Sequence, residues 1–307
     1  MDGRFEGVLP AVVTPFDSKD ASVDYHVLRD NVDWLITSGV HGIVGIGTMG
    51  EFRSLSTEER GKLTEVIVDA AAGRVPVTIG ISADTPSEAA DAAEHAAHVG
   101  AAGLMSLPPV SYKADEREVV AYFAAAASAT DLPLMVYNNP EGSKNDLRPD
   151  LLARLFEIDG VVAVKECSGD ARRIPEILEL TGHEMEVLVG GDDWALEGFS
   201  TGASGWVSGC ANVAPRECVE LWNHCIAGRL REAKEVYFRL LPLARLDMRP
   251  KLVQFFKAAM DQVGRYGGPT RPPRLPLTES ELEEVRAAVS TLARSTGHAK
   301  DEDAGGM

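Results

Sequence analysis

Positively charged side chains are scarce in this sequence. Its 307 residues include 47 aspartates and glutamates but only 30 lysines and arginines, which gives a formal net charge of −17 at pH 7. Nucleic acids and anionic lipid surfaces are bound by faces rich in lysine and arginine, so we expect no nucleic-acid partner and no membrane partner. Chemistry on a small molecule is the better expectation.

Cysteine is also sparse, and the histidines form no ligand set. The four cysteines include no CxxC pair, so their spacing suggests neither a disulfide framework nor a zinc site. His95 and His98 share one predicted helix, but no carboxylate or third histidine completes a metal site there. We predict no metal and no cofactor. The cysteines are Cys167, Cys210, Cys218 and Cys225.

Long apolar runs are missing. No stretch reaches the eighteen apolar residues that a membrane-spanning helix needs. The N-terminus, "MDGRFEGVLPAVVTPF", has acidic residues before a very short apolar run and lacks a cleavage-site pattern, which is not typical of a secretory signal. We therefore expect a cytoplasmic protein.

Short apolar runs, by contrast, recur regularly and alternate with amphipathic segments. Their nearly continuous apolarity is typical of parallel strands covered on both faces. Ser56 with Glu59 and Thr85 with Glu88 fit capping boxes at the starts of the intervening helices. The pattern predicts an α/β fold, a (β/α)8 TIM barrel over residues 1–228. The predicted strands are 8–13, 42–46, 77–81, 102–107, 134–137, 161–164, 186–189 and 205–207.

The remainder of the chain carries no further strand pattern. Residues 229–295 are predicted to form a small C-terminal helical extension, with helices at 230–246, 251–263 and 279–292. The polar, glycine-rich tail 296–307 is predicted to be disordered. An open doubly wound sheet is the structural alternative, but its GxGxxG turn is missing, because the first strand runs into "TPFDS".

Lys165 stands at the end of the sixth apolar run, where a TIM barrel carries its active site. Burial there disfavours the ammonium form, so we expect a lowered pKa and an amine that condenses with a ketone to form an iminium. The alternative is that Lys165 reaches solvent or pairs with Glu166 or Asp170.

Tyr137 ends the preceding strand, one β/α unit earlier, so the two side chains are predicted to be neighbours. A phenol in that place supplies the proton transfer that iminium formation requires, although a purely structural tyrosine fits the same position. Glycines around Thr48 predict a tight turn whose backbone N–H groups bind a substrate carboxylate. Asp192 and Asp193 follow the seventh strand, where many barrels bind phosphate, so we expect an unphosphorylated substrate.

Five motifs, "GTMGE", "YNNP", "VKECSGD", "GGDD" and "ANVAP", occur in this order over about residues 5–295. In sequence and spacing they resemble the dihydrodipicolinate synthase/N-acetylneuraminate lyase family of Schiff-base lyases. The resemblance implies a lyase in which Lys165 forms the Schiff base, Tyr137 shuttles protons, and Thr48 with its turn holds the carboxylate of a 2-oxo acid such as pyruvate. It also implies a homotetramer built from two tight dimers. Further substrate-binding positions carried over are Gly47, Met49, Gly50, Asn139 and the backbone carbonyl of Val207.

Several positions depart from the family pattern. Met49 stands where a second hydroxyl residue is usual, and Ser111, beside Tyr112, stands where the synthases carry a tyrosine that reaches across the dimer. Gly142 replaces the arginine that binds the carboxylate of the aldehyde substrate. The polar side chains suited to a hydroxylated substrate are Asn138, Asn139, Lys144 and Asn145.

These departures favour a hydroxylated substrate, as in hydroxy-pyrroline-carboxylate deaminases or keto-deoxy-sugar-acid aldolases and dehydratases. The alternative is a true 4-hydroxy-tetrahydrodipicolinate synthase, which condenses pyruvate with aspartate semialdehyde. Two other classes of function stay open. A metal-dependent barrel hydrolase requires histidines at strand ends, and only His41 lies near one, before its strand. A non-catalytic 2-oxo-acid-binding protein is disfavoured by the Lys165 and Tyr137 pair.

Overall fold

The computed structural model describes residues 5–293 and contains eight parallel strands in one sheet. The strand order is β1-β8-β7-β6-β5-β4-β3-β2, and a parallel bridge between Ala11 and Val44 joins its two ends. The predicted (β/α)8 barrel is confirmed. The strands are β1 (Gly7–Pro10), β2 (Ile43–Gly45), β3 (Val77–Gly80), β4 (Gly103–Ser106), β5 (Leu134–Asn138), β6 (Val161–Glu166), β7 (Glu186–Val189) and β8 (Gly205–Ser208).

The first strand is shorter than its apolar run predicts. The chain changes partner there, because the N–H of Ala11 still donates to Ser208 O of β8 (2.8 Å), whereas the N–H of Val12 donates to Val44 O of β2 (2.9 Å). This change of partner closes the barrel, and it ends the regular ladder after Pro10.

Helices surround the strands and begin where the capping patterns place them. Ser56 Oγ accepts from Glu59 N (3.2 Å), and Glu59 Oε2 accepts from Ser56 N (2.9 Å), a complete capping box. The hydroxyl of Thr85 accepts from Glu88 N in the same way. The helices of the barrel are α1 (Tyr25–Thr37), α2 (Thr57–Ala71), α3 (Pro86–His98), α4 (Glu116–Ser128), α5 (Pro140–Ser143), α6 (Pro149–Phe156), α7 (Arg173–Leu180), α8 (Ala195–Ser200) and α9 (Pro215–Ile226).

The C-terminal helical extension is present and packs on the barrel. Its helices are α10 (Leu230–Ala244), α11 (Leu252–Gln262) and α12 (Glu279–Ala293), close to the predicted bounds. The segment between α11 and α12 returns to the first barrel loop, where the Tyr266 hydroxyl donates to Phe16 O (3.0 Å). The division after residue 228 stays a prediction, and the predicted disordered tail, 296–307, lies outside the described residues.

Two further features bear on the sequence predictions. Within residues 5–293, no helix combines the length and the apolar character needed to cross a membrane. All four cysteines are free thiols.

Candidate active site

Lys165 and Tyr137 meet at the carboxyl ends of neighbouring strands. They are directly paired in the register of β5 and β6. Lys165 Nζ lies 4.1 Å from the centroid of the Tyr137 ring, and both side chains are buried. Successive strands of the barrel therefore bring the predicted nucleophile and the predicted proton shuttle into contact.

Neither alternative for Lys165 fits the structure, since the residue is only 6% exposed and its acidic neighbours are engaged elsewhere. Glu166 points to the other side of the strand, where its carboxylate accepts from Asn138 Nδ2 (2.8 Å) and Ser168 N (2.6 Å). Asp170 pairs with Arg172 at 2.7 Å. Within the described residues, Lys165 makes no direct ion pair.

The pKa of Lys165 contradicts the expected lowering. Burial does disfavour its ammonium form, but attraction to Tyr137, Cys167 and Asp247 outweighs the desolvation and leaves the pKa above its ordinary value. The surroundings of Lys165 therefore favour its ammonium form, which must give up a proton before the amine attacks a ketone. The sequence prediction counted burial alone.

Tyr137 is held in a fixed orientation and remains a neutral phenol. Asn139 Nδ2 donates to the Tyr137 hydroxyl (3.0 Å), while Asn139 Oδ1 accepts from Gly142 N (2.9 Å). Burial raises the pKa of Tyr137, so the hydroxyl is a proton donor at neutral pH. Asn139, predicted as a substrate-binding residue, thus orients Tyr137 in this structure.

The turn after β2 has the features of an anion site. Its ends are strained, because Ile46 (φ 59°) and Glu51 (φ 54°) both adopt the left-handed region that side chains disfavour. Gly50 is confined, since a Cβ there would lie 3.3 Å from Val12 O. Among residues 5–293, the N–H groups of the predicted residues Thr48, Met49 and Gly50 have no acceptor, and the Thr48 hydroxyl has no partner. These free donors suit a carboxylate.

A cavity of about 180 Å³ adjoins this turn. Two arginines, Arg53 and Arg274, line it together with Thr48, Glu51, Phe52, Leu107 and Gly142. Arg53 Nη2 donates to Gly142 O (3.2 Å), and no carboxylate of the described chain pairs with Arg53. The cation that Gly142 cannot supply is therefore present beside it, in the side chain of Arg53.

Most amide groups expected to serve a hydroxylated substrate are used within the protein. Asn138 bonds to Glu166 and to Leu147 N (3.0 Å). The Asn145 side chain accepts from Ala114 N (2.8 Å) and donates to Pro109 O (2.7 Å). These buried amides hold loops in place, so they do not provide the substrate contacts that the sequence suggested.

The remaining predicted positions lie around the same end of the barrel. Val207 is buried in β8, and Asp192 begins the turn Asp192–Trp194 after β7. The carboxylate of Asp192 accepts from Trp206 Nε1 (2.9 Å), Ser208 Oγ (2.9 Å) and Cys210 N (2.6 Å), which anchors this turn to β8.

Three other positions lie apart from the Lys165 and Tyr137 pair. Ser111 and Tyr112 are exposed in the loop after β4. His41 lies at the opposite end of the barrel, where its Nδ1 accepts from Val8 N (3.1 Å). The geometry of His41 gives no support to the alternative of a metal-dependent hydrolase.

Sequence reasoning missed Arg53, Arg274 and Asp247. Arg53 is an exposed residue of a one-turn helix, Phe52–Ser54, and no local pattern separates it from a surface arginine. Arg274 belongs to the proline-rich linker, and Asp247 follows α10; both reach the barrel mouth only through tertiary folding. Because no pattern joins these distant segments, only the three-dimensional arrangement identifies them.

The chain is similar to known proteins over nearly its whole length. A 4-hydroxy-tetrahydrodipicolinate synthase of Methanothrix thermoacetophila is 38% identical, with 95% of this chain and 99% of the relative covered. The synthase structure from Methylacidiphilum fumariolicum SolV matches with a TM-score of 0.90 at 28% identity, covering 95% of this chain and 97% of that one. A chloride-inhibited dihydrodipicolinate synthase from Acinetobacter baumannii complexed with pyruvate matches with a TM-score of 0.89 at 31% identity, covering 94% and 99%.

The family comparison spans nearly the whole chain. The model of the dihydrodipicolinate synthetase family matches residues 4–292, which include every strand of the barrel and the C-terminal helices. The chain belongs to the dihydrodipicolinate synthetase family, and it is a lyase of the type that acts through a lysine Schiff base.

Proposed function

We propose that this protein condenses pyruvate with aspartate semialdehyde, the reaction of a 4-hydroxy-tetrahydrodipicolinate synthase. The observation that carries the proposal is the guanidinium of Arg53, hydrogen-bonded to the backbone of Gly142 and facing the same cavity as Thr48. The relatives described above bear the synthase name and cover almost the whole chain, which favours the same reaction.

The proposed reaction proceeds in successive steps, each of which uses a free group of the site. The Lys165 amine adds to the keto carbon of pyruvate, water leaves, and an iminium forms. Tyr137 exchanges the protons of this step, and the free amides at Thr48 to Gly50 bind the pyruvate carboxylate. Loss of a methyl proton gives an enamine, whose carbon attacks the aldehyde carbon of the second substrate and forms the new C–C bond.

Arg53 supplies the charge that the second substrate requires. A guanidinium binds a carboxylate through two parallel hydrogen bonds, and a charge-assisted contact of this kind contributes about 1.5–3 kcal/mol. Arg274 lines the same cavity, but it also lies 3.6 Å from Glu51 Oε2. Arg53 is thus the cation left available for the substrate.

The hydroxylated substrate favoured by the sequence has less support. Its expected partners Asn138, Asn139 and Asn145 are engaged in hydrogen bonds within the protein. Gly142 itself offers no cation for a second carboxylate, but the guanidinium of Arg53 lies beside it. Ser111, in place of the tyrosine that crosses the dimer in the synthases, is the position that still distinguishes this chain from the pattern.

The test replaces Arg53 with methionine. We expect KM for aspartate semialdehyde to rise roughly ten- to a hundredfold, because the charge-assisted contact is lost, while the rate of pyruvate adduct formation stays unchanged. Arg148→Met, at an arginine whose side chain is 75% exposed, is the matched control and should leave both values unaltered.

The same assays should include 4-hydroxy-pyrroline-carboxylate and keto-deoxy-sugar acids as competing substrates. If either has a higher kcat/KM than the pyruvate and aspartate semialdehyde reaction, the proposed second substrate is wrong.

We also propose the homotetramer of two tight dimers, as the family resemblance implies. Sedimentation velocity of the purified protein should give a species of about four times the chain mass of 32.9 kDa. A monomer or dimer across the working concentration range would contradict this assembly.

A further inference from the structure

A carboxylate from the C-terminal extension reaches the mouth of the barrel. Asp247 lies on a helical turn, Arg245–Met248, directly after α10. Its Oδ2 accepts from Asp192 N (3.2 Å), and Asp192 is itself fixed by two hydrogen bonds to β8 and by a third to Cys210, just beyond that strand. Asp247 is therefore positioned by the barrel, although it belongs to another part of the chain.

This carboxylate lies at the end of the strand next to that of Lys165. Asp192, which donates to Asp247, lies in the turn that follows β7. Strand β7 pairs with β6, with Lys165 opposite Leu188 and Glu166 opposite Val189. The negative charge of Asp247 raises the pKa of Lys165, of Tyr137 and of Cys167. Asp193 and Asp192 are the acidic groups that face Asp247 from the opposing turn.

The other acidic residues near Lys165 are already engaged. Glu166 is turned away and hydrogen-bonded, Asp170 pairs with Arg172, and both oxygens of Asp192 accept hydrogen bonds. In the described chain, Asp247 accepts a single hydrogen bond, so it keeps lone pairs for another donor. The ammonium of a buried lysine needs such an anion nearby.

The protonation states of the groups around Lys165 also favour Asp247 as its anionic neighbour. Burial raises the pKa of Tyr137 and raises the pKa of Cys167 to about 12, so both are uncharged at neutral pH. Burial also raises the pKa of Asp247, but only to about 6. Of the three groups that attract Lys165, Asp247 is the one that is ionised when the enzyme meets its substrate.

We propose that Asp247 is the base that takes the proton from Lys165 and then balances the charge of the iminium. The inference rests on the Schiff-base step of the proposed function and is independent of the second substrate. Lys165 Nζ and Asp247 share no direct ion pair in the described chain, so the proton passes through the Tyr137 hydroxyl or through water.

The proton transfers of iminium formation balance. The Lys165 ammonium gives one proton to the Asp247 carboxylate, and the neutral amine forms a C–N bond to the keto carbon of pyruvate. In the carbinolamine, one proton moves from nitrogen to the former keto oxygen by way of Tyr137. The protonated Asp247 then returns its proton, the C–O bond breaks, and water leaves. The products are the iminium and the Asp247 carboxylate.

The experiment measures the rate of borohydride-trapped pyruvyl adduct on Lys165 between pH 5 and 9. For the unmodified protein we expect the rate to rise with pH along an acidic limb, as the facing carboxyl groups of Asp247 and Asp192 ionise. In Asp247→Asn, where the amide oxygen still accepts from Asp192, the rate at pH 7 should fall roughly a hundredfold, and the acidic limb should move to higher pH. Asp247→Glu should recover part of the rate.

The matched control is Asp193→Asn, which removes a carboxylate from the facing turn. It should leave the rate at pH 8 unaltered and shift the acidic limb slightly to lower pH, because the Asp193 charge raises the pKa of Asp247. A merely structural role of Asp247 would lower the melting temperature of Asp247→Asn without moving the acidic limb.

The outcomes separate this inference from the proposed function. Absence of any adduct in the unmodified protein contradicts the Schiff-base function itself. A normal adduct in the unmodified protein, with the same rate and pH profile in Asp247→Asn, overturns the role of Asp247 alone.

Discussion

Two lysines within residues 5–293 are buried, and their surroundings differ. Lys257, on α11, is 1% exposed; its Nζ lies 2.7 Å from Glu51 Oε1, donates to Pro269 O (2.8 Å) and lies 4.5 Å from the centroid of the Phe16 ring. Lys165, on β6, is 6% exposed; its Nζ lies 4.1 Å from the centroid of the Tyr137 ring and forms no direct ion pair within the described residues. One ammonium is fully engaged, and the other keeps free donors.

The pKa shifts of the two lysines do not by themselves point to Lys165 as the nucleophile. Burial lowers the pKa of Lys257 to about 8, although Glu51 opposes the shift, whereas the pKa of Lys165 is raised. Lys257 instead joins the C-terminal extension to the turn after β2, because its Nζ donates to Pro269 O and forms an ion pair with Glu51. Lys165 is suited to chemistry because it has unused donors, a neighbouring phenol and a carboxylate that can take its proton.

The strongest test of this comparison exchanges each lysine for alanine. Lys165→Ala should lose the borohydride-trapped pyruvyl adduct, and kcat should fall by roughly 10³-fold or more, since removal of a nucleophile eliminates the covalent route. Lys257→Ala should still form the adduct on Lys165 wherever it remains folded. Mass spectrometry of the trapped peptide measures both, and an adduct on any other lysine would refute the assignment of Lys165.

The reverse test concerns stability. Lys257→Met should lower the free energy of unfolding by about 3–5 kcal/mol, because it leaves the buried Glu51 carboxylate without its ammonium partner. Lys165→Met, which breaks no ion pair in the described chain, should cost less. The double variant Glu51→Gln/Lys257→Met should recover part of the loss in urea unfolding; equal losses for the two lysines would remove the distinction.

A smaller effect is expected at the tyrosine beside Lys165. Tyr137→Phe should slow adduct formation roughly a hundredfold without unfolding the protein, because only the proton transfer is lost. Tyr122→Phe is the matched control, since the Tyr122 hydroxyl contacts Ser106 Oγ (3.0 Å) and Ala83 N (3.2 Å) away from Lys165. Stopped-flow trapping measures both rates, and an unchanged rate in Tyr137→Phe would exclude Tyr137 from the mechanism.

The smallest expected effect is a dependence of stability on pH between 8 and 10. Lys257 loses its proton near pH 8 in the folded state but only near 10.5 when unfolded, so the unfolded state binds more protons in this range. The free energy of unfolding attributable to Lys257 should therefore rise with pH, by at most about 1.4 kcal/mol per pH unit.

The raised pKa of Lys165 places its titration above this range, where rising pH would remove stability. The free energy of unfolding of the unmodified protein, minus that of Lys257→Met, should accordingly increase from pH 8 to pH 10. The corresponding difference for Lys165→Met should stay constant. If the difference for Lys257→Met does not change with pH, the ion pair with Glu51 keeps Lys257 protonated over the whole range.

The amino-acid sequence by itself determined the barrel, the strand ends that carry Lys165 and Tyr137, and the turn around Thr48. Each of these follows from a local signal: the spacing of apolar runs, the residue that ends a run, or glycines at a tight turn. Adjacency of Lys165 and Tyr137 also followed, because consecutive strands of a parallel barrel are neighbours in space.

Only the tertiary structure decided the charge around these residues. Arg53 lies beside Gly142 and Asp247 lies against Asp192 because distant segments fold onto the barrel mouth, and no periodicity within either segment encodes that contact. The pKa of Lys165 was predicted with the wrong sign for the same reason, since desolvation follows from burial whereas the opposing attraction depends on groups from β5, β6 and the C-terminal extension. Backbone pattern is a property of neighbouring residues, but an electrostatic field is a sum over everything that the fold brings near.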